Sequence, residues 1–321
     1  MEALACFWSF RPAAENAHTR LRGCSFSAHI LFSMLRIPKG RAPWLTARDL
    51  FPSSLSQWHC FDIIPECFLA RSGGLDAMIR RVADLIVSHQ PCIALTGAGI
   101  SAESGIPTFR SKGGLWEQFD PAVYASIEVF RRDPSKYWSI RGEFIRNYDA
   151  YQPNPGHLAL AELERMGLLG QVITQNIDGL HRKAGNRNVI ELHGSLREIF
   201  CVECRKEYKA PNVPEGMPPL CECGGVLKPN TVLFGESLPP DALETAWREA
   251  QNCRAMLVIG TSAVVQPAAS LPHVAKQGGA AVIEINVERA FSEADLFLEG
   301  KSGAVLPQLV AHIKGHDEAH A

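Results

Sequence analysis

The 321-residue chain has no apolar run approaching the roughly 18 residues that a membrane-spanning helix needs. It also lacks a charge excess of one sign, because 32 basic and 34 acidic residues give a formal net charge of −2. Binding nucleic acid through its phosphates usually needs a clustered positive face. We therefore expect no membrane partner and no direct nucleic-acid partner. A hydrophobic fraction of 46% indicates a globular protein with a substantial core.

Residues 1–74 are rich in Phe, Trp, Pro, Ser and Arg, have few acidic residues and lack sustained periodicity. Three interpretations stay open. The segment is an organellar transit peptide, a disordered regulatory tail with an unusually high aromatic content, or translated sequence upstream of the true start. We favour the third, because Met78 sits just inside the first convincing helix. Peptides from residues 1–70 in the mass spectrum of the native protein would contradict it.

From Leu75 onward, short apolar runs alternate with helical patterns. Apolar residues between Leu75 and Ile86 repeat at helical spacing. Buried strands are predicted at residues 92–96, 172–174, 256–259 and 281–285, and helices at residues 157–166, 241–251 and 268–277. This alternation is typical of an α/β fold with a Rossmann-like parallel sheet. We place this domain at residues 75–315, followed by a tail at 316–321.

Four cysteines stand close together in residues 197–230, a stretch with little core-forming sequence. Cys201-x-x-Cys204 is followed after sixteen residues by Cys221-x-Cys223. Four thiolates can close a tetrahedral Zn²⁺ site that leaves no position open for catalysis. We therefore predict a small inserted module that binds one structural zinc ion. Such a cluster also indicates a reducing compartment, the cytoplasm, with an organelle as the alternative if residues 1–74 are a transit peptide.

The first predicted strand leads into a glycine-rich turn, Gly97-Ala98-Gly99-Ile100-Ser101-Ala102. The turn fits the G-x-G-x-x-G/A pattern, in which backbone N–H groups approach a pyrophosphate. The acidic residue expected about twenty positions further on would be Glu117 or Asp120. The intervening sequence, however, is a Gly- and Pro-containing loop and not an ordinary crossover helix. Taken alone, the turn is a weak signal for a dinucleotide.

Six motifs, occurring in the same order, resemble those of the sirtuin family. They are Gly97–Ser101 continuing through Gly105–Arg110, Thr174–His181, Glu191–Ser195, the cysteine pairs, Val232–Glu236, and Gly260–Ser262 with Asn286. In style they look closest to bacterial and archaeal members, and residues 1–74 have no part in the match. The resemblance implies a protein-lysine deacetylase or deacylase that consumes NAD as a co-substrate.

The resemblance also implies roles for individual residues. His193 would be the general base for a ribose hydroxyl, while Asn176 and Asp178 would line the nicotinamide pocket. The competing histidines, His157 and His181, look structural. Polar residues that follow strand ends lie where ligands bind in open α/β sheets. The full set implied for the cofactor is Gly97, Ala98, Gly99, Ser101, Pro107, Phe109, Arg110, Trp116, Gln175, Asn176, Asp178, Gly260, Thr261, Ser262, Asn286 and Ala304.

Acyl-lysine peptides are the implied partner. Residues 232–236 would form a strand edge that an extended peptide joins by backbone hydrogen bonds, through Val232, Phe234, Gly235 and Glu236. Acid-selective family members carry a Tyr-x-x-Arg pair, and an alignment through Trp138 places Arg141 and Phe144 at those positions. The pair is absent in this register, although Arg141 and Arg146 could still offer a cation in a shifted arrangement. We therefore expect deacetylation or neutral deacylation in preference to desuccinylation.

The implied reaction transfers the acyl group from lysine to ADP-ribose and releases nicotinamide. Protein mono-ADP-ribosylation on the same fold is the main alternative, and product mass would distinguish the two. A non-catalytic NAD-sensing, peptide-binding module is a second alternative, against which His193 and the Asn176/Asp178 pair argue. A Rossmann dehydrogenase is a third, which the near-ultraviolet absorbance change of hydride transfer would reveal.

Overall fold

The computed structural model describes residues 74–108 and 114–320. The predictions for residues 1–73, Phe109 and Arg110 lie outside the described residues, as does the side chain of Trp116. Within the described ranges the strands are β1 Cys92–Thr96, β2 Gln171–Thr174, β3 Val189–Glu191, β4 Gly194–Cys201, β5 Glu207–Lys209, β6 Leu227–Thr231, β7 Ala255–Ile259, β8 Ala281–Asn286 and β9 Leu296–Glu299.

The α-helices of the same ranges are α1 Leu75–Ser88, α2 Leu115–Gln118, α3 Pro121–Tyr124, α4 Ile127–Arg132, α5 Pro134–Arg146, α6 Pro155–Arg165, α7 Leu180–Ala184, α8 Pro240–Asn252, α9 Leu271–Gln277 and α10 Ser302–His320. None of the helices described is both long enough and apolar enough to cross a membrane.

Six of the strands form one sheet in the order β3-β2-β1-β7-β8-β9. Each neighbouring pair in this sheet is parallel. This is the strand order of a Rossmann-like doubly wound sheet, and it reverses direction between β1 and β7. The predicted α/β fold is confirmed, and the reversal creates a crevice beyond the carboxyl ends of these two strands.

Helices cover both faces of the sheet because alternate residues of its central strands point to opposite sides. In β1, Cys92 and Ala94 join a core with α1, α6 and α10, whereas Ile93 and Leu95 join a second core with α8 and α9. All five residues of β1 are buried, as are all five of β7. Strands buried on both faces read as continuous apolar runs, which is why the sequence revealed them.

Three segments differ from their sequence-based boundaries. The predicted helix at 268–277 is a 3₁₀ turn, Ala268–Ser270, followed by α9, which begins beside Pro272 because proline suits a helix start. Helix α10 continues to His320, so the expected tail boundary at 316 falls inside a helix. After β1, a 3₁₀ segment ends at Gly105 with φ +81°, and no long crossover helix follows it in the described residues.

A smaller antiparallel sheet in the order β5-β4-β6 occupies the connection between β3 and β7. The predicted inserted module at 197–230 falls within its span of residues 194–231. A separate apolar cluster lies here, containing Trp138 and Ile145 of α5 together with Leu196 and Leu227 of the small sheet. The small sheet thus has its own core, against which α5 packs.

Candidate functional site

A cavity of about 1130 Å³ opens at the carboxyl ends of four parallel strands. Gly97 follows β1, Gln175 follows β2, Gly260 follows β7 and Asn286 ends β8, and all four residues line it. Pockets for single drug-sized ligands usually measure roughly 300–1000 Å³. The cavity therefore has room for a large ligand or for two ligands side by side.

The glycine-rich turn forms one wall of the cavity by packing directly against the backbone after β7. The Gly99 N–H donates to the Gly260 carbonyl at 2.8 Å, and the Gly97 N–H donates to the Ile259 carbonyl at 3.0 Å. A Cβ at Gly99 would lie 2.7 Å from the Gly260 Cα. Gly260 itself has φ +57°, where a side chain is strained. Glycine is therefore required on both sides of this contact.

The acidic residues considered for the Rossmann pattern do not reach the cavity. Asp120 caps helix α3, with its Oδ1 accepting from the Ala122 N–H at 2.9 Å. The cavity is lined by neither Asp120 nor Glu117, but it is lined by Glu288, two residues beyond β8. Within the described residues no ordinary crossover helix follows the glycine turn, so the spacing rule led to residues in and beside short helices and not to a strand end.

Asn176 lies at the cavity wall, with its side chain held by two hydrogen bonds. Its Nδ2 donates to the Gly97 carbonyl at 3.0 Å and to Ser101 Oγ at 3.1 Å. Because both amide hydrogens are used, the amide oxygen is the group left for a ligand. The Asn176 backbone N–H is also fixed, since it donates to Thr174 Oγ1 at 3.0 Å.

Ser101 and Asp178 lie directly behind Asn176 and do not themselves line the cavity. Ser101 Oγ donates to Asp178 Oδ2 at 2.7 Å, and Asp178 Oδ1 accepts from the Leu180 N–H at 2.9 Å. Burial raises the pKa of Asp178, and these hydrogen bonds oppose the shift. Of the two residues that the resemblance implied for the lining of the nicotinamide pocket, Asn176 lines the cavity, whereas Asp178 lies behind it and reaches it through Ser101.

His193 lines the cavity between the glycine turn and the small sheet. Its Nδ1 lies 2.8 Å from the Gln175 carbonyl oxygen. A carbonyl only accepts, so Nδ1 carries the hydrogen and Nε2 keeps a free lone pair. Burial lowers the pKa of His193 below 6.5, and the bond to Gln175 partly offsets the shift. His193 is therefore neutral at pH 7 and oriented to accept a proton through Nε2.

Residues 232–236 follow β6 but do not continue it, so the predicted strand edge is wrong in its secondary structure. Strand β6 ends at Thr231, and only Phe234 makes an isolated parallel bridge, to Ser126. The chain turns because Gly235 has φ +89° and the Glu236 N–H donates to the Leu233 carbonyl at 2.9 Å. The four residues named for the substrate nevertheless all line the cavity.

A nearly buried ion pair shapes this turn. Lys228 Nζ lies 3.0 Å from Glu236 Oε2 and donates to the Thr231 carbonyl at 2.9 Å. The same Glu236 oxygen accepts the Leu233 N–H at 2.8 Å. Neither residue was considered for this role in the sequence, because a lysine and a glutamate eight residues apart carry no pattern by themselves.

Tyr137 and Arg141 of α5 line the cavity next to the same turn. The Tyr137 hydroxyl lies 3.2 Å from Thr231 Oγ1. Phe144, one helical turn after Arg141, instead stacks on Tyr151 with ring centroids 4.5 Å apart. The two positions of the acid-selective pair thus diverge: Arg141 reaches the cavity wall, and Phe144 packs against an aromatic ring.

The four cysteines of the small sheet come together as the spacing predicted. Their sulfur atoms all lie within 4.8 Å of one another, with Cys201–Cys223 at 3.5 Å and Cys204–Cys221 at 3.6 Å. A tetrahedron with Zn–S bonds of about 2.3 Å places sulfurs about 3.8 Å apart. The Tyr208 hydroxyl donates to Cys221 Sγ at 3.2 Å, a hydrogen bond that favours the thiolate form of that ligand. The donor set fits one structural zinc ion.

Among the other predicted cofactor residues, Ala98, Thr261 and Ser262 line the cavity, but Pro107 and Ala304 do not. Pro107 is exposed, and Ala304 is exposed in the first turn of α10. Ser302, which the sequence analysis missed, lines the cavity instead. It is 5% exposed, and its hydroxyl has no hydrogen-bond partner within the described residues. Its place as the first residue of α10 is the sequence feature that could have identified Ser302.

Comparison with known sequences places these features in context. A family model described as the Sir2 family matches residues 97–267. The chain is 51% identical over 239 residues to "NAD-dependent protein deacylase 2" of Pyrobaculum aerophilum, covering 73% of this chain and 95% of that protein. It is 48% identical over 242 residues to "NAD-dependent protein deacylase 1" of Archaeoglobus fulgidus, covering 74% and 98% of the two chains.

Solved structures are similar to this chain over the same region. A Sir2 homologue variant in complex with ADP-ribose is 46% identical, covers 74% of this chain and 97% of its own, and has a TM-score of 0.71. A Sir2 variant with a deacetylated p53 peptide and 3′-O-acetyl ADP-ribose is 35% identical, covers 73% and 97%, and has a TM-score of 0.70. In each comparison the match spans nearly the whole of the other chain.

Proposed function

The chain belongs to the Sir2 family, and we propose that it is an NAD-dependent protein-lysine deacylase that transfers the acyl group to ADP-ribose and releases nicotinamide. Family membership confirms the resemblance drawn from the six motifs. The observation that carries the proposal is His193, which lines the cavity and whose Nδ1 is held by the Gln175 carbonyl, so that Nε2 has no hydrogen-bond partner among the described residues.

NAD would supply the acyl acceptor: the acyl oxygen of the peptide would displace nicotinamide at the ribose carbon, a ribose hydroxyl would then attack the acyl carbon, and water would complete the release of the lysine amine. His193 accepts the proton of a ribose hydroxyl at Nε2, and its low pKa keeps that nitrogen free at pH 7. Asn176 presents its amide oxygen to the nicotinamide end, and Asp178 secures Ser101 behind it. The turn Gly97–Gly99, which lines the cavity and packs against the backbone after β7, would lie beside the pyrophosphate, as the resemblance implies.

Residues 232–236 would hold the acyl-lysine peptide. Most of their backbone groups are already paired: Val232 N–H with the His193 carbonyl, Phe234 N–H with the Ala125 carbonyl, and Leu233 N–H with Glu236. Within the described residues, the Gly235 N–H and the carbonyls of Val232, Gly235 and Glu236 have no such partner. An extended peptide would pair with groups of this set, and one of these residues, Val232, bonds His193 through its N–H.

Products read by mass test the proposal. The full chain is incubated with acetyl-lysine peptide, with and without NAD. We expect NAD-dependent loss of the acyl group and formation of acyl-ADP-ribose. His193→Ala should slow the reaction by about 10²–10⁴-fold, the usual contribution of a general base. His89→Ala is the matched control, because His89 caps α1 and its ring contacts Ser88 at the surface.

Other outcomes identify other functions. Peptide that gains the mass of ADP-ribose would indicate a transferase. Unmodified peptide with NAD still bound would indicate a sensing module. A rise in near-ultraviolet absorbance would indicate hydride transfer. Full activity of His193→Ala would remove the general-base role even if the deacylase activity stands.

We further propose that neutral acyl groups are preferred. The aromatic packing of Phe144 supports this, because the register of the acid-selective pair then supplies one polar group, Arg141, and not two. Acetyl-lysine and succinyl-lysine peptides should be compared by kcat/KM in the wild type and in Arg141→Leu. Faster desuccinylation that is lost in Arg141→Leu would contradict the preference and would assign the carboxylate to Arg141.

The cytoplasm is the compartment that we propose for the protein. The four clustered cysteines are free and not joined in disulfides. A reducing environment keeps such thiols available to bind zinc. Cell fractionation, with detection by an antibody against residues 75–315, would test this location. Recovery of the protein only within an organelle would favour a transit peptide in residues 1–74.

A further inference from the structure

A carboxylate that takes no part in the proposed reaction lies buried in β8. Glu284 is 0% exposed, and no other carboxylate residue among those described is exposed as little. Its side chain points to the same face of the sheet as that of Val282, which belongs to the core shared with α8 and α9. Burial of a polar or charged group is costly unless hydrogen bonds replace the lost water. The partners of Glu284 therefore indicate its role.

Three N–H groups replace that water. Glu284 Oε1 accepts from the Ala290 backbone N–H at 2.7 Å and from Asn286 Nδ2 at 3.2 Å, and Oε2 accepts from the Phe291 backbone N–H at 3.1 Å. None of the ion pairs in the described part of the chain includes Glu284. The carboxylate thus binds the segment that follows its own strand and not a cation.

Two of these donors belong to a loop that has few other constraints. Residues 287–290 are exposed and line the cavity, and Phe291 returns to the core with 4% exposure. Within the described residues, no backbone-to-backbone hydrogen bond involves residues 287–290. Glu284 binds the last residue of this loop, Ala290, and the residue after it. The hydrogen bonds of Glu284 therefore determine the course of the loop along the cavity wall.

The third donor, Asn286, ends β8 and lines the cavity. Its Nδ2 donates to the Thr261 carbonyl at 2.9 Å as well as to Glu284, and its Oδ1 accepts from the Val287 N–H at 3.0 Å. Both amide hydrogens are then used, and one lone pair of Oδ1 stays open. A reversed amide would turn its oxygen towards two acceptors. Glu284 and Thr261 together therefore specify which side of the Asn286 amide a ligand meets.

We propose that Glu284 is a positioning residue for NAD, which holds Asn286 and residues 287–290 in the arrangement that binds this ligand. The identity of the ligand rests on the proposed function. Glu284 does not line the cavity, so it acts only through these neighbours. A loop without this anchor must be ordered when the ligand binds, and the ordering lowers the affinity.

Two variants of the full chain grade the loss. Glu284→Leu removes all three acceptor contacts, whereas Glu284→Gln keeps one oxygen for Ala290 and Asn286 but turns an NH₂ group towards the Phe291 N–H. The dissociation constant for NAD is measured by calorimetry, and the peptide KM by turnover. We expect NAD to bind about tenfold more weakly to Glu284→Leu and about threefold more weakly to Glu284→Gln, because hydrogen bonds that orient the site are lost. The peptide KM should stay within about twofold.

Ile283→Ala controls for destabilisation of the strand. Ile283 is the preceding residue of β8, is 0% exposed, and belongs to the core on the opposite face of the sheet. Its truncation leaves a cavity in that core and should lower the unfolding temperature. The dissociation constant for NAD should nevertheless stay at the wild-type value, because the loop keeps its anchor.

Hydrogen exchange locates the effect of the variants. The Ala290 and Phe291 amides should exchange much faster in Glu284→Leu than in the wild type, while the amides of β7 and β8 keep their protection. Wild-type NAD affinity in both variants would overturn the proposal, as would NAD and peptide constants that rise together, or loss of protection throughout β7 and β8. If Glu284→Leu does not fold, Glu284→Gln decides alone: weaker NAD binding at an unchanged peptide KM supports the proposal, and wild-type affinity overturns it.

Binding and turnover distinguish this proposal from the proposed function. A wild-type chain that binds NAD but does not deacylate would overturn the proposed function. The NAD dissociation constants would still decide the role of Glu284, with the peptide dissociation constant in place of its KM. A wild-type chain that binds no NAD would overturn both.

Discussion

The two ends of the cavity are stabilised by different kinds of interaction. At the proposed cofactor end, formed by the glycine turn and residues 174–181, buried side chains fix one another through hydrogen bonds. At the proposed substrate end, formed by β6 and residues 232–236, a Lys228–Glu236 ion pair and a four-cysteine cluster stabilise the chain. Hydrogen bonds among buried side chains do not depend on a metal ion, whereas a thiolate cluster does.

Because of this difference, we expect acid and metal removal to disturb different ends of the cavity. Acid should act first on the cofactor end, because its histidines must stay neutral. Metal removal should act first on the substrate end, because β4 and β6 carry the cysteine cluster at one end and lead to His193 and Val232 at the other. The predictions below test that separation.

The largest expected effect is that of zinc removal. Chelation, or the variant Cys204→Ala, should unfold residues 194–231 and abolish deacylation, because the metal bonds fold a segment of this size. Hydrogen exchange should become fast in β4 and β6 and remain slow in β1 and β7.

Cys253→Ala is the matched control, since Cys253 is buried outside the cluster; it should keep its zinc content. Full activity of a Cys221→Ala, Cys223→Ala double variant would contradict a structural zinc site.

Acid should destabilise the cofactor end between pH 6.5 and 4. The unfolded chain binds a proton at His157 below pH 6.5, but the folded chain does so only near 4. The contribution of neutral His157 to the free energy of unfolding is therefore fully present above pH 6.5 and is lost as the pH falls towards 4. The loss is on the order of 3 kcal/mol.

Urea unfolding at pH 7.5, 6 and 5 would measure this loss. His157→Gln should show a shallower dependence on pH, because it removes one of the two buried histidines. Identical slopes for the two proteins would show that His157 is not buried in its neutral form.

Gly99→Ala should weaken NAD binding by about two orders of magnitude and leave the peptide end unaffected. The added Cβ would meet the Gly260 Cα at 2.7 Å, so the backbone of the turn must move. Overpacking of this kind costs roughly 1–3 kcal/mol. The dissociation constant for NAD, measured by calorimetry, tests it, with Gly105→Ala as a control that has nothing within 4 Å.

Because Gly105 has φ +81°, its variant reports backbone strain without a clash, and Gly99→Ala reports the clash. An unchanged NAD affinity in Gly99→Ala would mean that the turn is not the pyrophosphate site.

The smallest expected effect is that of the ion pair. Lys228→Met should raise the peptide KM about tenfold while the NAD KM changes little, because Glu236 loses the partner that orients it toward Leu233. Lys206→Met is the control, since Lys206 pairs with Glu222 at the surface of the same module. A larger change in the NAD KM than in the peptide KM would contradict the hypothesis that the two ends of the cavity act independently.

Most of the fold was predictable because its signals are local. Continuous apolar runs located the strands of the parallel sheet, and the spacing of Cys201, Cys204, Cys221 and Cys223 located the metal cluster. The errors fell where local signals end. Val232–Glu236 looked like a strand but turns at Gly235, and Ala304 was named where Ser302, two residues earlier, lines the cavity.

The sequence by itself determined the Rossmann-like sheet, the glycine turn, the cysteine cluster and the set of residues near the cavity, because each depends on neighbours a few positions away. Only the tertiary structure decided how those residues act. Ser101 meets His157 across 56 residues and Asp178 across 77. Such hydrogen bonds depend on where the sheet brings distant strand ends together, and no spacing in the chain encodes them.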